Sequence, residues 1–243
     1  NEASKSVMFN DLGEGLMVQS NQHVIIKGDE ACVLDPGGHK IYTKLFAKLS
    51  PVVPVSHIKH LFFSHQDPDI VAAANGWLMV TDATAYISQI WVRFITHFGI
   101  DSYVEKRITG LPDEGGKLVV GGKELLIIPA HFLHSSGNYH LYDPETRIYY
   151  SGDLGASMGA DYTFVDTFTD DVQYIAGFHR RCIPSNEPIR LLLKSIEHLD
   201  IDIVAPQHGA LYRGKETISA LFEYLSNLEC GYNALSHIYN VPS

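Results

Sequence analysis

Ser64-His65-Gln66-Asp67-Pro68-Asp69-Ile70 carries three side chains able to bind a metal at alternate positions, 65, 67 and 69. The stretch stands where a short apolar run, HLFFS (60–64), gives way to the helical pattern VAAANGWLMV (71–80). A buried strand therefore hands over to a helix. A strand end followed by a turn can aim alternate side chains into one crevice, and imidazole and carboxylate are suitable donors for a divalent metal. A plainer reading fits the same residues: Asp67 as helix N-cap, Pro68 as first helical residue and Asp69 as a first-turn acid favoured by the helix dipole.

The rest of the chain favours the metal. Pro129-Ala130-His131-Phe132-Leu133-His134 follows the end of an expected strand, Gly152-Asp153 follows another, and Pro206-Gln207-His208-Gly209 a third. Loops at strand ends gather at one sheet edge, where functional groups concentrate. Four such sites make coincidence a poor explanation. The composition points the same way, with 13 histidines set against 18 lysines plus arginines, and histidine is the commonest metal ligand.

The bulk of the sequence narrows the alternatives. A chain of 243 residues with 45% hydrophobic and 19% charged residues is ordinary for a globular protein, and we expect residues 1–243 to form one domain. No window approaches the ~18 apolar residues of a membrane span, and the start, NEASKSVMFNDLGEGL, lacks the basic flank and apolar core of a secretory signal. A cytoplasmic protein without membrane insertion is expected. The net charge of −10 opposes binding to nucleic acid. Cys32, Cys182 and Cys230 are odd in number and lack CxxC spacing, so they read as buried small hydrophobes rather than a disulfide framework or thiolate site.

Periodicity gives strands at MVQS (17–20), HVIIK (23–27), ACVLD (31–35), HLFFS, TAYIS (84–88), KLVVG (117–121), KELLIIPA (123–130), NYHLY (138–142), RIYYS (147–151) and DIVA (202–205). Gly28-Asp29-Glu30, Gly121-Gly122 and Asp143-Pro144 supply hairpin turns. Helices are expected over about 39–49, 71–80, 88–98, 187–198 and 214–229. Hairpin strands interrupted by helices indicate a layered α/β or α+β sandwich rather than a purely parallel sheet.

With these residues in view, the chain resembles the metallo-β-lactamase superfamily. Its pattern of HxHxDH followed by His, Asp and His is reproduced in order over nearly the whole length. Two positions depart from it: Asp67 stands where the hydrolases have a second histidine, and Ile70 where they have the last one. An HxExDH variant marks the flavodiiron proteins, and this chain looks closer to them. The resemblance implies a four-layer αββα fold with two non-haem, carboxylate-bridged iron ions. Carried over residue by residue, it makes His65, Asp67 and His134 ligands of one iron, Asp69 and His208 ligands of the other, and Asp153 the bridge. The step from His134 to Asp153 also fits the flavodiiron arrangement, which selects His134 over His131 and leaves His131 a supporting role. Asp35 matches a position that often orients a ligand in the superfamily, an effect with a physical basis, although a turn aspartate would look the same.

Three carboxylates and three imidazoles form a harder, more anionic donor set than the histidine-rich zinc version, which suits iron. Charge counting agrees, because two ferric ions, three aspartates, a peroxide and a hydroxide sum to zero. Ile70 cannot ligate, so the second iron keeps open positions, the mark of a reactive site. Flavodiiron proteins take electrons from FMN in a flavodoxin domain that follows the lactamase-like one. The chain ends at Ser243, so no FMN is expected in it. HxDxDI without a flavodoxin domain resembles stand-alone oxygen-binding di-iron proteins linked to bacterial oxygen sensing and chemotaxis. The implied partners are dioxygen, held as O₂, peroxide or hydroxide, and a chemoreceptor or signalling protein, with a homodimer left open. No catalytic residue is nominated. A thioesterase or lactonase of the same superfamily, and an O₂ or NO reductase fed by a separate flavoprotein, would use the same six ligands.

Of the other residues, His23, His57, His60, His97, His140, His179, His198 and His237 read as structural or surface, and Trp77, Trp91 and Phe94 as core. Tyr162 to Arg181, between Asp153 and His208, is a candidate lid by position.

Overall fold

Strand-by-strand alternation builds the architecture. In the computed structural model, which describes residues 4–242, the first half of the chain forms β1 (Ser4–Phe9), β2 (Gln22–Lys27), β3 (Glu30–Leu34), α1 (His39–Leu49), β4 (Ile58–Phe62), α2 (Pro68–Val71), α3 (Ala74–Val80), β5 (Thr84–Ser88), α4 (Val92–Ile95), α5 (Ser102–Glu105) and β6 (Ile108–Leu111). The second half forms β7 (Gly116–Val120), β8 (Lys123–Pro129), β9 (Tyr139–Asp143), β10 (Ile148–Tyr150), α6 (Phe168–Cys182), α7 (Glu187–Ile196), β11 (Ile203–Ala205), β12 (Tyr212–Arg213), α8 (Lys215–Asn227) and α9 (Gly231–Leu235). The first sheet has the order β1-β2-β3-β4-β5-β6 and the second β12-β11-β10-β9-β8-β7. Both are mixed: β3 through β6 run parallel, as do β10 and β11, and the remaining pairs are antiparallel.

Because successive side chains leave a strand on opposite faces, single strands feed two cores. From β3, Ala31 and Val33 join a core with α1 and α3, while Cys32 and Leu34 enter the core between the sheets. From β8, Leu125 and Ile127 face the inter-sheet core, and Leu126 and Ile128 turn toward α6, α7 and α8. Helix layer, two sheets and helix layer make the expected αββα sandwich. A buried ion pair crosses the middle, with Lys27 Nζ 2.8 Å from Asp143 Oδ2, both side chains 1% exposed. Breaking such a pair from one side leaves a buried charge uncompensated.

Most elements lie where periodicity puts them, with four corrections. MVQS is a loop, because its backbone is drawn to the candidate metal site instead of a neighbouring strand; the strand preceding β2 is Ser4–Phe9. The helix expected over 88–98 is only α4 and a 3-10 turn, since Ser88 still belongs to β5 and Gly99, at φ 79°, ends the run left-handed. Cys182 is exposed, unlike Cys32 and Cys230, because it lies in the last turn of α6. Trp77 is core, but Trp91 is only half-buried and Phe94 is 59% exposed. Among the described residues no helix is long and apolar enough to cross a membrane.

Candidate metal centre

All six sequence-nominated residues meet at one rim of the sandwich, just past strand ends. His65, Asp67 and Asp69 follow β4, His134 lies in the β8–β9 loop, Asp153 follows β10 and His208 follows β11. The helix-start reading of the first three is also correct in part: Asp67 occupies the N-cap position of α2 with Pro68 behind it, yet its side chain makes no capping hydrogen bond. The carboxylate is turned to the crevice instead.

Asp153 is 3% exposed and divides its two oxygens between two groups of donors. Oδ2 lies 2.9 Å from His134 Nε2 and 3.7 Å from His65 Nε2, and Asp67 Oδ2 lies 3.5 and 3.7 Å from the same two nitrogens. On the other side Oδ1 stands 3.7 Å from His208 Nε2, which is 3.4 Å from Asp69 Oδ2. One donor from each of His65, His134 and Asp153 falls within 4.8 Å of the others. Most of these separations are too long for hydrogen bonds. They are about what two donors at ~2.1 Å from a common cation would span. Among the described residues, His65 Nε2 and Asp153 Oδ1 are moreover buried without any hydrogen-bond partner, a costly arrangement unless a cation completes it. The residues fit a pair of metal ions.

Neighbouring groups orient the donors. His208 Nδ1 donates to the carbonyl of Gln19 at 2.7 Å; a carbonyl only accepts, so Nδ1 carries a proton and Nε2 is the nitrogen that faces the site. That bond explains why 17–20 is not a strand. His65 Nδ1 pairs with Ser64 Oγ at 3.0 Å, and Asp35 Oδ1 accepts the Ser64 backbone N–H at 2.8 Å. Asp35 thus acts on His65 through the backbone of its neighbour, and burial pushes its carboxyl up to about 6. His131 makes no hydrogen bond to any of the six: its Nε2 pairs with the carbonyl of Asp113, and its ring packs edge-on against Tyr139. The segment proposed as a lid contains α6, which buries Ile175 and His179 in the second helix layer and sets Phe178 edge-on to the His134 ring at a centroid distance of 5.6 Å. Ile70 is fully buried in the first core. Beside His208 opens a cavity of about 450 Å³ lined by Met17, Val18, Gln19, Ser157 and Met158.

The charges settle one another. Burial opposes ionisation of Asp153, but His65, His208 and His134 overrule it and hold its carboxyl well below the usual carboxylate range. Asp67 is likewise lowered against burial by His65 and His134. Burial would lower His65, yet Asp153, Asp67 and Asp35 push it up to about 9. A metal must displace that proton, so affinity is highest above pH 9 and falls as the pH drops. From this group alone we expect about a tenfold loss per pH unit between 9 and 7. Metal titrations at several pH values, with proton release read in buffers of different ionisation enthalpy, check it; pH-independent affinity would contradict the assignment of His65.

A family model described as ODP family beta lactamase matches residues 18–209. The chain belongs to this family. Two solved structures of chemotaxis sensor ODP superpose over nearly its full length: a peroxy di-iron species at 34% identity, covering 98% of this chain and 97% of that one with a TM-score of 0.87, and an apo state from T. denticola at 33% identity, covering 97% and 100%, with a TM-score of 0.83. The metal-soaked flavodiiron core of Flv1 from Synechocystis sp. PCC6803 shares the fold at 19% identity, covering 93% of this chain and 59% of that one with a TM-score of 0.76. Curated relatives are longer. An uncharacterised protein of Methanocaldococcus jannaschii is 20% identical over 205 residues, which are 82% of this chain and 50% of that protein. The chain spans about a third of the diflavin flavoproteins it also matches. This ODP-family chain therefore carries the lactamase-like fold shared with flavodiiron cores.

Proposed function

We propose that the chain is a dioxygen-binding di-iron sensor. His65, Asp67 and His134 would hold one iron, Asp69 and His208 the other, with Asp153 between them and no FMN in this chain. The observation that carries this reading is the Asp153 carboxylate, whose two oxygens face two separate donor groups. A bound iron pair would supply the electrons that let dioxygen bind reversibly or be reduced. The protein's share is to aim His208 Nε2 at the site, to hold the Asp153 and Asp67 carboxylates ionised against burial, and to leave the side of His208 accessible through its cavity. The second donor group is the sparser, three side chains against four, which favours it as the position where a ligand exchanges.

The similarity to a chemotaxis sensor over nearly the whole of both chains supports a sensory role, a chemoreceptor or related signalling partner, and a cytoplasmic location; a homodimer is compatible with it. Cores that share the same strands support treating residues 1–243 as one domain.

The deciding experiment is metal analysis after anaerobic purification, followed by admission of air. Two irons per chain and a long-lived visible absorption on adding dioxygen are expected. Two zincs with turnover of ester or lactone substrates would sink the proposal. Fast NADH-driven consumption of O₂ or NO with an added flavoprotein reductase would replace it with the reductase reading.

A further inference from the structure

Asp67 uses its two carboxylate oxygens differently. Oδ2 faces His65 and His134, while Oδ1 accepts a hydrogen bond from Gln66 Nε2 at 2.9 Å. The bonding continues outward from there. Gln66 Oε1 accepts from Ser135 Oγ, and Ser135 Oγ accepts from Trp91 Nε1 at 3.1 Å and from the backbone N–H of Gly137 at 3.3 Å. Donor chemistry orients the whole series. An indole N–H only donates, so the lone pairs of Ser135 are taken by Trp91 and Gly137 and its hydrogen is left for Gln66 Oε1. That fixes the amide of Gln66 with its NH₂ toward Asp67. Ser135 is 5% exposed, and water competes little with these bonds.

The relay also joins separate parts of the fold. Gln66 follows His65 on the first sheet's side, Ser135 follows His134 on the second, and Trp91 immediately precedes α4. Trp91 packs edge-on against Phe94 at 5.5 Å, and Phe94 is exposed.

We propose that Gln66, Ser135 and Trp91 are positioning residues for Asp67, and that the same hydrogen bonds make the Trp91 indole N–H a reporter of metal at the centre. This rests on the metal-binding reading of the site. A cation at Oδ2 draws electron density from the carboxylate and weakens Oδ1 as an acceptor; coupled hydrogen bonds respond together. The change travels through the Gln66 amide and the Ser135 hydroxyl to the indole, at the protein surface beside Phe94.

The test uses the full chain labelled with ¹⁵N-tryptophan and zinc as a diamagnetic probe. Two indole N–H signals are expected, and the one lost in Trp91→Phe is Trp91; Trp77, bonded to the carbonyl of Pro36, is the internal reference. Zinc bound at two per chain by native mass spectrometry should move the Trp91 signal. Ser135→Ala should weaken zinc affinity about tenfold, in line with groups that orient metal ligands, and at saturating zinc should abolish the shift. Ser135→Thr, which keeps the hydroxyl, should restore both. If zinc fills the site and Trp91 stays unmoved, or moves equally in Ser135→Ala, the relay is wrong while the metal centre stands. If no zinc binds, both are wrong.

Discussion

Asp153→Asn should strip the centre of both metals, not one. Asp153 is the only one of the six whose two oxygens face different donor groups, so an amide there removes an anionic donor from each side at once. It also leaves His65, His134 and His208 clustered around a neutral group in a buried site, with the donor charge reduced from −3 to −2 against a pair of divalent ions. Loss of even a residue that merely orients a metal ligand costs 10–100-fold in affinity; loss of a shared ligand should exceed that at both positions. Asn has nearly the volume of Asp, so the fold should survive. Metal content of the anaerobically reconstituted variant, with circular dichroism to establish folding, checks the outcome. Retention of two irons per folded chain would refute the bridge. Asp69→Asn makes the contrast, because it should spare the position facing His134.

Acid should destabilise the metal-free chain steeply between about pH 6.5 and 4, before most of its carboxylates titrate. His23, His140 and His179 are buried, and burial pushes them down to about 4, about 3 and about 4. Each has a hydrogen-bond partner as a neutral ring: His23 Nε2 donates to the carbonyl of Pro206, His179 Nε2 accepts the backbone N–H of Gly155, and His140 Nδ1 pairs with Tyr149 Oη. In the unfolded chain all three take up protons near the ordinary histidine value, about 6.5. Between about 6.5 and 4 the unfolded state therefore binds more protons, and stability falls as pH falls. A histidine displaced that far is worth on the order of 3 kcal/mol once it is fully titrated. Asp35 runs the other way: raised to about 6, it gains stability as pH drops from about 6 toward its unfolded value. The net of three against one, roughly 6 kcal/mol, is comparable to the whole stability of many domains. Urea unfolding at pH 7, 5.5 and 4.5 should show a steep decline. A flat profile would mean that these histidines ionise in the folded chain without cost.

The centre was more legible than the fold around it because ligands obey two constraints visible in sequence: residue type, and position just past a strand end beside Gly or Pro. All six nominated residues are of ligating type and lie past a strand end, four of them next to Gly or Pro, and all six come together. What positions them was less visible. Gln19 contributes a backbone carbonyl, for which no side-chain signal exists, and its segment, MVQS, has the composition of a strand. The relay through Gln66 and Ser135 depends on contact between loops far apart in sequence. α6 escaped because its inward face carries Asp171 and His179 along with Ile175, so polar residues interrupt the apolar period. Asp171 is buried because it accepts hydrogen bonds from Tyr162 and Tyr212, partners that only the tertiary structure supplies. The helix's charge pattern, Asp170 and Asp171 at its start and Arg180 and Arg181 at its end, was the usable signal, since it matches the helix dipole.

Three of the six donors stand beyond the first sheet and three beyond the second. On the ligation proposed for them, metal would do mechanical work as well as chemistry: it would rivet the two halves of the sandwich at the rim, where no strand pairing joins them among the described residues. Binding free energy realised only when both halves are docked adds to the cooperativity of the whole. Loss of iron would loosen that seam first, so a sensor of this build would register the state of its metal as stiffness, felt across both sheets.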